Sequence, residues 1–266
     1  MVLRIVTALI LIPVVIWVLF RGGTGPLYLL MLLAGSGLMW EWNRLKGGVD
    51  ALPLAMAVGV GAVMLALPLT PLKELLWLLP AVLLPALMGL GVWRYQADKP
   101  VLDGMLLLMG GLLYCVAPLV WLLEVRLRFG PEWLGLLLIV IWSTDTGALF
   151  VGRGFGGPKW IPRVSPGKTW SGFWGGTLCG ILGGAGAAYA FSLAIPTGRA
   201  IVLSLALSVV GQIGDLAESV VKREAGVKDS GRLIPGHGGL LDRLDSLLFS
   251  APVLAAYLIG VDLLER

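Results

Sequence analysis

The sequence predicts an all-α protein that crosses a membrane many times. Three observations lead there. Hydrophobic residues make up 58% of the 266 positions and charged residues only 14%, against about 25% charged in a soluble domain. Apolar runs close to the ~20 residues that a membrane helix needs recur from end to end. Inside those runs the apolar residues are continuous rather than alternating, which excludes a β-barrel. The same composition excludes disorder.

Nine spans follow in order, at 3–20, 25–40, 51–70, 74–92, 101–123, 133–152, 172–195, 200–220 and 246–263. The first, Val2 to Phe20, opens like a signal peptide, but no clear small-residue cleavage site closes it and further spans follow. It reads as a retained helix. The second is short and calls for tilt, re-entry or local bilayer thinning. Pro13, Pro53, Pro80, Pro85 and Pro118 fall inside spans, where neighbouring helices satisfy the freed carbonyls. In the seventh span, Gly176-x-x-x-Gly180 and Gly180-x-x-x-Gly184 put small residues on one helix face, a pattern that favours close helix contact. Cys115 and Cys179 lie in apolar runs and read as small buried hydrophobes. With no CxxC pair or His/Cys cluster, zinc is not expected.

The net charge is +4. The cations sit in short loops beside apolar runs, where topology and anionic lipid account for them and no nucleic-acid partner is expected. Taking the N-terminus and every second loop after it gathers 14 Lys and Arg, against 6 on the other side. The positive-inside rule then turns both polar loops, 153–171 and 221–245, toward the cytoplasm. Nine of the fourteen lie in those two loops, so the shorter loops do not decide the orientation.

Charge near lipid is costly and is rarely kept without a use. The densest charge lies between Ser219 and Asp245, with the chain's only histidine. Asp215, Glu218 and Lys222 are spaced i, i+3, i+7 and share one face of a helix. An intrahelical pair from Glu218 to Lys222 is the plain explanation; a metal-binding carboxylate at Asp215 with cations nearby is the sharper one. Asp242 and Asp245 repeat the i, i+3 spacing at the start of the last apolar run, where a helix N-terminus suits carboxylates. Capping alone would explain Asp242. Pro235-Gly236 and Gly238-Gly239 form a low-bulk turn whose backbone amides can approach an anion. Two carboxylate clusters beside such a turn suit magnesium and phosphate, since hard oxygen ligands match Mg²⁺; Asp245 joins Asp215 and Asp242 as a metal candidate. His237 reads as a phosphate contact or a loop-ordering residue, with a general base as the other role open to it.

A third block holds Asp145, again an acid in an apolar run, then a glycine-rich stretch and Ser165-Pro166-Gly167-Lys168-Thr169. One ammonium and two hydroxyls suit phosphate oxygens. Gly152-x-Gly154-x-Gly156 has no βαβ pattern around it, and Gly167-Lys168-Thr169 lacks the first glycine of a Walker A loop, so neither a Rossmann site nor a P-loop is expected.

These residues resemble a known family. Ser219-x-x-Lys222-Arg223-x4-Lys228-Asp229, followed by His237-Gly238-Gly239-x2-Asp242-Arg243-x-Asp245, is similar to the signature of phosphatidate cytidylyltransferases, also called CDP-diacylglycerol synthases. Residues 140–260 carry the likeness; the first 130 match only as hydrophobic spans. The resemblance implies CMP transfer from CTP to phosphatidic acid, with Mg²⁺, a second cation such as K⁺, and a homodimer in the bacterial inner membrane. It implies Asp215 and Asp242 as metal carboxylates, and Ser165, Lys168, Thr169, Lys222, Arg223 and Lys228 as phosphate contacts. Asp145, Glu218, Ser219, Asp229, Gly238, Gly239 and Arg243 complete the expected substrate-binding set. The chain then divides into a scaffold, 1–130, which would also carry the dimer contact, and a catalytic region, 131–266. One position departs: in Lys168-Thr169-Trp170-Ser171-Gly172 the family has an acid where this chain has Ser171. Serine supplies no carboxylate, which implies weakened turnover wherever that acid is required. Two other functions fit parts of the pattern. A CTP-dependent polyprenol kinase would transfer the terminal phosphate instead, and an ion-coupled transporter would use the intramembrane acids but should show inverted repeats, of which the sequence has none.

Overall fold

Hydrocarbon offers no water to a backbone N–H or C=O, so an apolar chain closes these bonds inside helices. The structure, a computed structural model, describes residues 2–45, 47–72, 85, 89, 101–236 and 238–264. Among them there are helices, loops and two isolated bridges, and no strand. Five of the helical stretches are long and apolar enough to cross a membrane: Ala51–Leu69, Asp103–Arg128, Pro131–Phe155, Thr197–Glu224 and Leu241–Leu264. The expected span at 74–92 lies almost wholly outside the described residues.

The chain forms two units. The first comprises Met1–Leu123 and Ser230–Leu241. It holds α1 (Val2–Arg21), α2 (Thr24–Leu45), α3 (Ala51–Ala66), α4 (Val101–Gly111) and the start of α5 (Ala117–Arg128). Helix α2 runs beyond the expected end at 40, because Trp42 and Asn43 find partners. Trp42 Nε1 donates to Leu107 O at 2.8 Å, and Asn43 Oδ1 accepts from Val49 N at 2.8 Å. Tyr28 of α2 donates to Ala62 O of α3 at 3.1 Å. Between α4 and α5 the chain widens into a π-helical turn, Leu112–Val116. Pro118 gives the reason: it has no N–H, and its ring would press on the carbonyl of Tyr114 in a regular helix. Leu38, Met39, Leu65, Leu119 and Leu123 are buried in this unit.

The second unit comprises Glu124–Asp229 and Asp242–Arg266. It holds the end of α5, then α6 (Pro131–Phe155), α7 (Trp170–Ala190), α8 (Thr197–Glu224) and α9 (Leu241–Leu264) from Asp242 onward. The glycine pattern in α7 does what its spacing predicts. A Cβ on Gly176 would lie 2.7 Å from Thr144 O, one on Gly180 would meet Thr144 Oγ1 and Ser208, and one on Gly184 would meet Ser204. With that seam empty, α6 and α8 approach closely enough for Thr144 Oγ1 to donate to Ser208 Oγ at 2.8 Å. Gln212 Nε2 donates to Thr177 Oγ1 at 3.0 Å, tying α8 to α7 as well. The glycines that allow this packing also dilute α7's hydropathy, which keeps it out of the five strongly apolar helices.

Candidate active site

The second unit gathers most of the residues expected to carry chemistry. Helix α8 presents Asp215, Glu218, Ser219 and Lys222 on one face, as their spacing requires. Helix α9 begins at Leu241, so Asp242 and Asp245 occupy its first turns. Gly214 brings the two helices together: a Cβ there would lie 2.8 Å from Phe249 Cβ and 2.9 Å from Asp245 O. The backbones touch where Gly214 precedes Asp215. Gly214→Ala is expected to force the helices apart at a cost of about 1–3 kcal/mol, as overpacking a filled contact does. A lowered thermal midpoint in detergent would report it, and an unchanged midpoint would show that the contact yields freely.

The loop from Gly156 to Thr169 supplies the third side. Gly156 and Gly157, at φ 60° and 102°, turn the chain off the end of α6. The loop then folds back on itself: Trp160 N donates to Lys168 O at 3.0 Å and Trp170 N to Pro158 O at 3.1 Å. Trp160 stacks against Phe173 with centroids 4.6 Å apart. Thr169 is buried and caps α7, its Oγ1 accepting from Gly172 N at 3.1 Å. Ser171 donates to Gly156 O and shares a hydrogen bond with Thr169 Oγ1. Where the family resemblance expects an acid, the side chain present is thus a latch between the loop and the helix start.

Two lysines organise the carboxylates. Lys168 Nζ lies 2.7 Å from Asp215 Oδ2, and both side chains are partly exposed. Ser219 Oγ reaches Asp215 Oδ1 at 3.5 Å. Deeper in, Lys222 Nζ bridges two acids, Glu218 Oε2 at 2.5 Å and Asp242 Oδ1 at 2.6 Å. The Lys222 and Asp242 side chains are each only 11% exposed and that of Glu218 1%, so these charges have little water to screen them. Glu218 Oε1 is buried without a hydrogen-bond partner among the described residues. Asp145 of α6 and Asp245 of α9 lie within Coulombic reach of Asp215 and of each other. Among the described residues the network thus brings five carboxylates together with two ammonium groups.

Such an imbalance inside a membrane protein suits a bound cation. Among the described residues, no three carboxylate, imidazole or thiol groups form a ready-made metal cage. That is no obstacle to Mg²⁺, which usually takes one or two carboxylates and completes its shell with water and substrate phosphates. The donors present, hard carboxylate oxygens, are the kind it prefers.

The other expected residues are distributed as follows. Arg223 donates from Nε to Val164 O at 3.3 Å and from Nη1 to Val227 O at 3.1 Å, fastening the end of α8 to the loop. Ser165 sits half-buried in the turn that precedes Lys168. Lys228, Asp229 and Arg243 are exposed. Gly238 and Gly239 belong to the first unit, in the segment Ser230–Leu241, where Ile234 N donates to Gly238 O at 3.1 Å to close a turn. His237 lies outside the described residues. Gly214 was not anticipated as a site residue. Its signal in the sequence was its place directly before Asp215.

An all-helical, membrane-spanning protein with lysine-bridged carboxylates at one end of its helices has the means to handle phosphorylated substrates beside a bilayer. Comparison with known proteins narrows that class. The model of the cytidylyltransferase family matches residues 2–260, and the chain belongs to that family. It is 38% identical over 265 residues to a phosphatidate cytidylyltransferase of Brucella suis, covering 97% of this chain and 92% of that one. It is 37% identical to a phosphatidate cytidylyltransferase of Pseudomonas aeruginosa, covering 96% of each chain. A phosphatidate cytidylyltransferase of Bacillus subtilis is 46% identical over 127 residues, 48% of this chain.

Proposed function

We propose that this protein transfers CMP from CTP to phosphatidic acid, giving CDP-diacylglycerol and pyrophosphate. The observation that carries the reading is the set of five carboxylates threaded by Lys168 and Lys222, in a chain that matches the cytidylyltransferase family almost end to end. A phosphatidate oxygen attacks the α-phosphorus of CTP in line. The new O–P bond forms as the bond to the β-phosphate oxygen breaks, and pyrophosphate leaves with that electron pair. The attacking phosphate monoester is already anionic near neutral pH, so no strong base is needed.

Repulsion between two anions is the main barrier, and the residues are arranged against it. Lys168, on its loop, exchanges Asp215 for a phosphate oxygen as CTP enters. Lys222 stays between Glu218 and Asp242 and keeps both carboxylates oriented. Arg223 holds the loop that carries Lys168, and Lys228 and Arg243 add exposed positive charge for the departing pyrophosphate. Backbone amides of Gly238 and Gly239 suit phosphate oxygens. Asp215, Asp242 and Asp245 would hold Mg²⁺, with K⁺ as a second cation. When bound, the metal would supply positive charge that offsets the negative charge developing on the phosphates.

The acyl chains of phosphatidic acid remain in lipid while its headgroup reaches the site. The full topology is nine spans in the bacterial inner membrane with both polar loops toward the cytoplasm, and the working form is a homodimer. CTP labelled at the α or γ position tests the reaction. Supplied with phosphatidate, α label is expected in the lipid product. Label from γ in a polyprenol would mean a kinase, and no lipid label from either position would remove the transferase reading.

A further inference from the structure

Helix α2 carries a carboxylate for which the reaction, as described, has no use. Glu41 is fully buried, at 0% exposure. Its Oε2 accepts two hydrogen bonds, from Ser230 Oγ at 3.0 Å and from Leu241 N at 2.9 Å. Both donors are neutral, and among the described residues Oε1 has no hydrogen-bond partner. A buried carboxylate held only by neutral groups is expensive to keep.

The two donors stand at opposite ends of one segment, Ser230–Leu241. One oxygen thus fastens the base of a loop that carries Gly238 and Gly239. The chain is shaped around this carboxylate. A Cβ on Gly231 would fall on Glu41 Oε1, and one on Gly239 would fall on Ser230 Oγ and lie 2.7 Å from Glu41 Oε2. One helical turn before Glu41, Gly37 leaves room for Leu233 and Leu240 of the same segment, whose side chains would meet a Cβ there at 3.3 and 3.1 Å. Ile234 N also donates to Gly238 O at 3.1 Å, and Thr7 Oγ1 to Pro235 O at 3.2 Å.

Leu241 N is also the first N–H of α9. Helix starts leave such donors unsatisfied, and a negative charge there is favoured by the helix dipole. Glu41 supplies that acceptor from a distant helix, at the residue immediately before Asp242.

We infer that Glu41 is a positioning residue, which holds the glycine turn and the first residue of α9 in the conformation that transfer requires. The inference rests on the proposed roles of Asp242 and the glycine turn, but its first readout does not. Hydrogen exchange measured on the full-length protein in detergent micelles, without substrate, follows the amides of 231–241 directly. In Glu41→Ala those amides are expected to exchange about tenfold to a hundredfold faster, the scale of losing a buried bond to a charged acceptor, while the helices of the same unit keep their protection. The rate of CMP transfer should fall by a similar factor with little change in thermal midpoint. Glu41→Gln, which keeps an acceptor oxygen, should restore most of both. Unchanged exchange in 231–241 would overturn the inference. So would acceleration spread over every helix of the unit, with activity tracking only the folded fraction. If Asp242→Asn proves fully active, the site reading fails instead, and the exchange result is unaffected.

Discussion

Asp242→Asn is expected to lower the rate of CMP transfer by at least about a hundredfold, the loss seen when one well-placed electrostatic group is removed from a reaction centre. The amide keeps the volume and one acceptor oxygen, so the fold should persist. What it loses is the charge that faces Lys222 at 2.6 Å and that would draw a divalent cation. Incorporation of α-labelled CTP into lipid measures the effect, and far-UV circular dichroism in detergent checks the helices. Turnover within about threefold of the parent, with the helices intact, would remove Asp242 from the reaction.

Lys222→Met should act mainly on stability. The ammonium pairs with both Glu218 and Asp242, and among the described residues Glu218 already has one buried oxygen without a hydrogen bond. Methionine fills similar space but takes away the ammonium that the two poorly hydrated carboxylates share. Removing one partner of a buried pair costs about 3–5 kcal/mol, so the thermal midpoint in detergent should drop sharply. Adding Glu218→Gln should recover much of that loss by removing the charge of the more deeply buried acid, without restoring transfer. Recovery of both stability and full activity in the double variant would show that Lys222 serves packing alone. A single variant as stable as the parent would show that water reaches these carboxylates.

Much of this site could be read from the chain because charge is conspicuous in so apolar a sequence. The i, i+3, i+7 spacing of Asp215, Glu218 and Lys222 determined their common face, and the i, i+3 pair Asp242 and Asp245 marked a helix start. The pairing itself was not legible. Lys168 meets Asp215, and Lys222 meets Asp242, only because helices distant in sequence pack side by side, and no local period encodes that. Glu41 was hidden for another reason. In Trp40-Glu41-Trp42-Asn43-Arg44 it looks like part of a polar helix end at the membrane surface, and the expected span stopped at 40. Tertiary contacts carry α2 on to Leu45 and bury both Glu41 and Asn43. The resemblance at the C-terminal half also understated the likeness, since the family match extends from residue 2. Hydrophobic patterning alone does not distinguish one membrane helix from another.

The bare glycine edge of α7 bears on how substrates enter and leave. Thr144, Ser204 and Ser208 fill the space that side chains at 180 and 184 would occupy, so turning or sliding any of these three helices would drive hydroxyls into backbone. Sliding of these three helices past one another is therefore resisted by their own backbones. The proposed exchange of Asp215 for substrate by Lys168 would then call on the 156–169 loop to move while the helices behind it stay still.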